Sequence, residues 1–159
     1  MKIETLKDFT NPDFKVAFVQ YFNEFDIHID NWDTLFESMS DSNNNELLVI
    51  KENNNIVAFL LFRFDQLEHW FLKEHFCFVR EFWVMPSYRS NGIGTMLLNH
   101  VESLAVNLKI YKMILTTDSA ENMYIKNGYI IDNSYIANNN NSVLIKHLQK
   151  YRGIIYSSL

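Results

Sequence analysis

Between Val84 and Thr95 the chain reads VMPSYRSNGIGT, and these residue types suit the holding of a phosphate. An apolar run ends at Val84 and Met85, a loop follows, and a helical pattern begins among the glycines. The first turn of a helix has backbone N–H groups without partners and a partial positive charge, so a pyrophosphate placed there meets several donors at once. Gly92 and Gly94 remove side chains that would hold an anion off, and Gly92 can take φ values that other residues avoid. Arg89 adds a permanent cation and Thr95 a hydroxyl, with Ser90, Asn91 and Ile93 completing the loop. Two glycines alone serve a tight turn before a core helix equally well. The third glycine of a dinucleotide fingerprint is Leu97 here, and the Gly-Lys-Ser/Thr of a triphosphate loop is absent.

Glu81 is the acid best placed for proton transfer. In strict alternation His75, Cys77, Val79, Glu81, Trp83 and Met85 share one face of a strand, which Glu81 interrupts. A carboxylate there is partly desolvated, its pKa rises, and it becomes a base suited to neutral pH. A salt bridge with Arg80 explains the same residue equally well, and a bulge would change the face. Tyr124 falls on a short helical stretch beside Met123, where a packed core tyrosine is the plain alternative to a chemical role. The histidines His28, His69, His75, His100 and His147 show no metal-ligand spacing, so no metal is expected. His75 and His147 lie on predicted strands and are outside candidates for lining a substrate site. Cys77 reads as a small buried hydrophobe.

The wider pattern Val84-x-x-x-x-Arg89-x-x-Gly92-x-Gly94, followed by Met96-Leu97-Leu98, resembles the acetyl-CoA motif of the GNAT superfamily of N-acetyltransferases. The stretch Thr117 to Tyr129 also resembles the family's downstream motif, with Ala120, Tyr124, Lys126 and Gly128 in register. Thr117 stands where that motif often has Asn, a pantetheine contact. The resemblance implies one domain over residues 1–159. It also implies a mixed, mostly antiparallel sheet of about seven strands flanked by about four helices. It implies acetyl-CoA as co-substrate, direct acetyl transfer to a primary amine of a small molecule or peptide, and Tyr124 as general acid. The backbone of Trp83, Val84 and Met85 would pair with the pantetheine arm and polarise the thioester carbonyl. Other functions on the same fold are a non-catalytic acyl-CoA-binding module and a toxin that acetylates aminoacyl-tRNA.

Positioning such a site takes a strand, a loop and a helix in order, and the patterning supplies them. Residues 2–6, 46–52, 56–63, 75–85, 111–117, 129–136 and 142–149 read as strands. Asn11-Pro12 opens a helix with the stripe Phe14, Phe18, Tyr21, Phe22 and Phe25. A second starts near Asp30 or Asn31 with Trp32, Leu35, Phe36 and Met39, before a loop at Ser40 to Asn45. Gly92 to Leu108 is a third. Asp118 to Asn127 is a fourth, with Asp118 and Glu121 as a capping box and Gly128 as its stop. Residues 64–74 are amphipathic and read as helix or loop. The tail 151–159 carries no clear pattern. The order gives an α/β layered domain with a mixed sheet.

Composition agrees. The 159 residues hold 48% apolar and 21% charged residues, ordinary for one soluble domain. Formal net charge is −5, so no basic surface invites nucleic acid, and a cationic acceptor is favoured. The acids Glu24, Asp26, Asp30, Asp33 and Glu37 flank the first two helices. No apolar run approaches membrane length and no secretory signal opens the chain, so a cytoplasmic protein without a membrane partner is expected. One cysteine fits a reducing compartment. Trp32, Trp70 and Phe71 could wall the acceptor cleft, or serve core packing or a homodimer.

Overall fold

The structure is a computed structural model that describes residues 1–41 and 44–149. In chain order its elements are β1 (Ile3–Leu6), α1 (Pro12–Glu24), α2 (Trp32–Asp41), β2 (Asn45–Glu52), β3 (Asn55–His69), β4 (Leu72–Val84), α3 (Ile93–Asn107), β5 (Lys112–Thr117), α4 (Glu121–Lys126), β6 (Ile130–Ile131) and β7 (Ser142–His147). All seven strands join one sheet in the order β1-β2-β3-β4-β5-β7-β6. Every neighbouring pair is antiparallel except β4 with β5.

Local signals start and stop these elements as their chemistry requires. The Asn11 side chain accepts from the N–H groups of Asp13 and Phe14, and Pro12 fills the first helical position of α1. Asn31 likewise accepts from Thr34 N–H at the start of α2. Asn53 and Asn54 take φ of 50° and 65°, turning β2 back into β3. Gly128 ends α4 at φ 86°.

Both faces of the sheet are covered. Phe14 and Phe18 of α1 and Phe36 of α2 pack with Leu47, Phe59, Leu61 and Trp83 on one face. Leu97, Leu98, Val101 and Ala105 of α3 pack with Leu60, Phe62, Cys77, Val79, Met113 and Leu115 on the other. The central strands are therefore apolar on both sides, as their unbroken hydrophobic runs foretell.

Five expectations need correction. Residues 64–74 are neither helix nor loop: β3 and β4 continue as a hairpin, with Phe64 opposite Cys77 and His69 opposite Leu72. β2 reaches only to Arg63 of β3, so this ribbon projects past the sheet and both its faces meet solvent. The helix α2 runs on through Ser40 to Asp41. Asp118 does not cap α4: Ala120 occupies the cap, its N–H is accepted by Thr117 Oγ1 at 3.1 Å, and Glu121 accepts from the Ser142 hydroxyl. Of residues 129–136 only Ile130–Ile131 form a strand, because past them the chain leaves β7 for a turn in which Asp132 accepts from Ser134 N–H. Finally, strict alternation along β4 fails. The register shifts between Leu61–Glu81 and Phe62–Val79, which leaves Arg80 as an extra residue. Cys77 and Val79 therefore face α3, whereas Trp83 faces α1. The tail 151–159 lies outside the described residues.

Candidate active site

The parallel pair β4 and β5 is joined only at Cys77–Met113 and Phe78–Ile114. Past that point β4 continues to Val84 and β5 to Thr117 without pairing, so the sheet splits into a slot. The bulge at Arg80 sits where the strands part. A bulge bends its strand and increases the twist, which turns the end of β4 away from β5.

The slot is edged by backbone groups of β4 that do not pair with β3. Met85 N–H donates to Val57 at 2.9 Å. In an antiparallel ladder successive residues point alternately toward and away from the partner. Trp83 and Met85 thus turn their polar groups to β3, while Phe82 and Val84 turn theirs to the slot. Of the three residues expected to present backbone, Val84 does so. Phe82, which sequence reasoning passed over, does so as well. The Val84 carbonyl accepts from Arg89 Nε at 2.8 Å.

Glu81 and Tyr124 come together at this slot from opposite sides of the sheet. Glu81 lies on the α1 side, where Oε2 accepts from the Tyr21 hydroxyl at 2.8 Å. Burial raises its carboxyl above the ordinary range, against the lowering effects of the Tyr21 hydrogen bond and the nearby Arg80 charge. No ion pair with Arg80 forms: that guanidinium donates to Asn45 Oδ1 at 2.9 Å. Tyr124 of α4 is buried in the α3-side core, its ring 6.2 Å from that of Phe82. Burial first, and the Glu81 charge second, hold its phenol well above the usual tyrosine range, so it stays protonated. Thr117, buried at the end of β5, spends its hydroxyl on the Ala120 N–H.

The glycine loop closes one end of the slot. Ser90 and Gly92 take φ of 63° and 77°, and Gly92 caps α3 without any side-chain bond. No acid lies in the first turn of α3. The N–H groups of Ile93, Gly94 and Thr95 thus head a helix of 15 residues with no competing anion of its own. A Cβ at Gly92 would meet nothing within 4 Å, whereas one at Gly94 would lie 3.2 Å from Phe82 Cζ. Gly92 is needed for its backbone angle and Gly94 for the packing of the strand below it. Asn91 donates to the Tyr88 carbonyl at 3.5 Å and stays at the loop surface.

Arg89 turns back rather than outward. Besides the Val84 carbonyl, its guanidinium meets Glu24 Oε1 at 2.5 Å, and Glu24 Oε2 accepts from the Trp83 indole at 2.9 Å. These bonds hold the Glu24 carboxyl below its usual range against a partial burial that raises it. Arg89 therefore ties the loop to β4 and α1. Sequence reasoning had Glu24 as one flanking acid among several and Tyr21 as part of an apolar stripe. Their spacing of three, with polar tips on a Phe-rich face, was the available signal.

Other candidates lie elsewhere. His75 sits opposite Gln66 on the projecting hairpin, and His147 opposite Lys112, the end of β5 remote from Thr117. Trp70 and Phe71 are 88% and 71% exposed at the hairpin tip. At 3.3 Å per residue that tip is roughly 30 Å along β4 from Glu81, so these rings do not wall the slot. Trp32 packs in the α1–α2 core. A groove of about 330 Å³ beside Asp13, Gln20, Glu52 and Tyr88 reaches Met85, but neither Glu81 nor Tyr124 lines it.

Comparisons with known proteins fit this geometry. The family model described as the acetyltransferase (GNAT) family matches residues 4–129. A search of curated protein sequences gives no match. Among solved structures, an aminoglycoside 6'-N-acetyltransferase complexed with coenzyme A superposes with a TM-score of 0.70 at 17% identity, covering 92% of this chain and 97% of its own. A predicted acetyltransferase with acetyl-CoA from Clostridium acetobutylicum gives 0.69 at 18%, covering 86% and 94%. A GNAT-family acetyltransferase from Staphylococcus aureus gives 0.67 at 21%, covering 93% and 100%. With a family model spanning most of its length and the fold it demands, the chain belongs to the GNAT acetyltransferase family and is an acyltransferase.

Proposed function

We propose that the protein transfers the acetyl group of acetyl-CoA directly to a primary amine of a small molecule or peptide. The observation that carries this reading is the slot between β4 and β5. It has Glu81 on one side, a neutral Tyr124 on the other, the Phe82 and Val84 N–H groups along its edge and an uncapped helix at its end. The pantetheine arm pairs with that edge as an added strand would, and the pyrophosphate rests on the N–H groups of residues 92–95. An N–H of the same edge polarises the thioester carbonyl, where negative charge develops.

Glu81, with its raised pKa, takes a proton from the incoming ammonium. The free amine attacks, a C–N bond forms, and the C–S bond breaks as the tetrahedral intermediate collapses. Tyr124 gives its proton to the departing sulfur, and the second amine proton leaves to solvent. The acceptor is cationic before it reacts, which suits a net charge of −5 and an acid at the slot. Two relatives point the same way in kind: one solved structure is an aminoglycoside acetyltransferase in complex with sisomicin, another a plant enzyme with a bisubstrate analogue.

Calorimetry with acetyl-CoA, followed by an acceptor screen read through released thiol, tests the reading. The screen spans polyamines, aminoglycosides, amino acids and peptides. Cys77 adds no background, since burial pushes its thiol up to about 12. Binding together with turnover on an amine is expected, and no binding at millimolar coenzyme would overturn the proposal. Tyr124→Phe should lower kcat by about 100-fold, the low end for a lost general acid, with coenzyme affinity unchanged. An undiminished kcat would remove Tyr124 from that role.

A further inference from the structure

We infer that Tyr21 is a positioning residue for this transfer: its hydroxyl holds Oε2 of Glu81, leaving Oε1 to receive the proton. The inference rests on the reading of Glu81 as the base and adds a residue from the opposite layer of the molecule. The contact joins positions 60 apart in sequence, at 2.8 Å. It is the side-chain hydrogen bond that Glu81 accepts among the described residues.

The phenol ring is held by four others. Phe18, Phe22, Phe25 and Phe59 pack their rings at 5.2 to 5.8 Å from that of Tyr21, each at 72° or more to it. Edge-to-face packing of that kind is directional, so the hydroxyl has little freedom to swing away. One turn on, Glu24 takes the Trp83 indole. Tyr21 and Glu24 share one face of α1, and Glu81 and Trp83 share one face of β4. Two hydrogen bonds thus lock helix against strand at the reacting carboxylate.

Tyr21 acts only as a donor. Burial and the nearby Glu81 charge push its phenol far above the usual range, so it cannot itself take the proton at working pH. The groups that face Glu81 are Tyr21 from α1, Tyr124 from α4 and Arg80 from its own strand, and Asp118, after β5, also acts on Tyr21. Of these, Tyr21 bonds the carboxylate directly. A donor to a carboxylate stabilises the charged form, so Tyr21 keeps a buried acid ionised enough to act as a base.

The test is Tyr21→Phe, which keeps the ring and deletes the hydroxyl. Carbon NMR of protein labelled at glutamate Cδ follows the Glu81 carboxyl through a pH titration, its resonance assigned by its loss in Glu81→Gln. The titration should move to higher pH in Tyr21→Phe. With the best acceptor of the screen, the acidic limb of kcat/KM should move the same way. kcat at neutral pH should fall roughly 10-fold or more, as for a lost hydrogen bond to a charge, with the KM for acetyl-CoA unchanged. An unmoved Glu81 titration with full activity would overturn the role of Tyr21 and leave Glu81 untouched as base. Full turnover by Glu81→Gln would instead overturn the base, and the positioning role with it.

Discussion

Glu81 and Tyr124 are both pushed away from ionisation by burial, yet the consequences differ. The phenol stays neutral throughout the working range, so its burial adds no pH dependence. The carboxyl does ionise, and the folded protein bears the cost. Its ordinary value is 4.5, and the folded value lies higher. Below pH 4.5 it is protonated in both folded and unfolded chains, so it adds no penalty. As pH rises past 4.5 the unfolded chain releases its proton first, and stability falls until the folded carboxyl has ionised too. Glu81→Gln should therefore raise the urea midpoint at pH 7 to 8, by on the order of 1 kcal/mol in stability, and leave it unchanged in acid. A stabilisation equal at both pH values would show that the gain is not one of charge. The variant should also lose about 100-fold or more in kcat, so stability and activity move in opposite directions at one residue. Glu81 was legible as an acid on an apolar strand. Its partner was not, because Tyr21 is as good a core residue as the phenylalanines around it, and only packing reveals where its hydroxyl points.

At the scale of elements, α1 does two things with one surface. Its first half buries Phe14 and Phe18 beneath the sheet, and its second half carries Tyr21 and Glu24 to β4. Phe14 is fully buried and touches the rings of Phe9, Phe18, Phe36 and Phe59. Phe14→Ala should cost about 3–5 kcal/mol in urea unfolding. Because α1 holds both Glu81 and Arg89, activity should be lost at lower urea than the fluorescence of the global transition in that variant. Coincident loss would mean that helix and sheet melt as one unit. The start of α1 was readable from Asn11-Pro12, because a cap and a proline act locally. The hairpin of residues 64–74 was not, because the alternation that marks a strand exists only where one face is buried, and here both faces stand in solvent. A bulge in this strand was open as an alternative, but its place at Arg80 was not legible, for the opposite reason. β4 is apolar on both faces around it, so shifting phase by one residue leaves the pattern unchanged, and no glycine marks the place.

The whole molecule is two half-sheets that share a short seam. The strands β1 to β4 lie on one side, β5, β7 and β6 on the other, and two residue pairs join them. A slot of this kind is expensive in unmade backbone bonds, since buried N–H and C=O groups need partners. Its retention makes sense if a ligand supplies those partners, and the pantetheine arm has amides suited to do so. Residue-resolved hydrogen exchange tests this where no activity assay is needed. Phe82 and Val84 face the slot and should exchange quickly in the free protein, then slow by about tenfold or more when acetyl-CoA is saturating, since each 1.4 kcal/mol of protection is a factor of ten. Trp83 and Met85, already bonded to β3, should change little. An alternating response along four consecutive amides cannot come from general rigidification, which would slow all four alike. Uniform slowing would therefore count against strand-like pairing, while leaving coenzyme binding at the glycine loop intact.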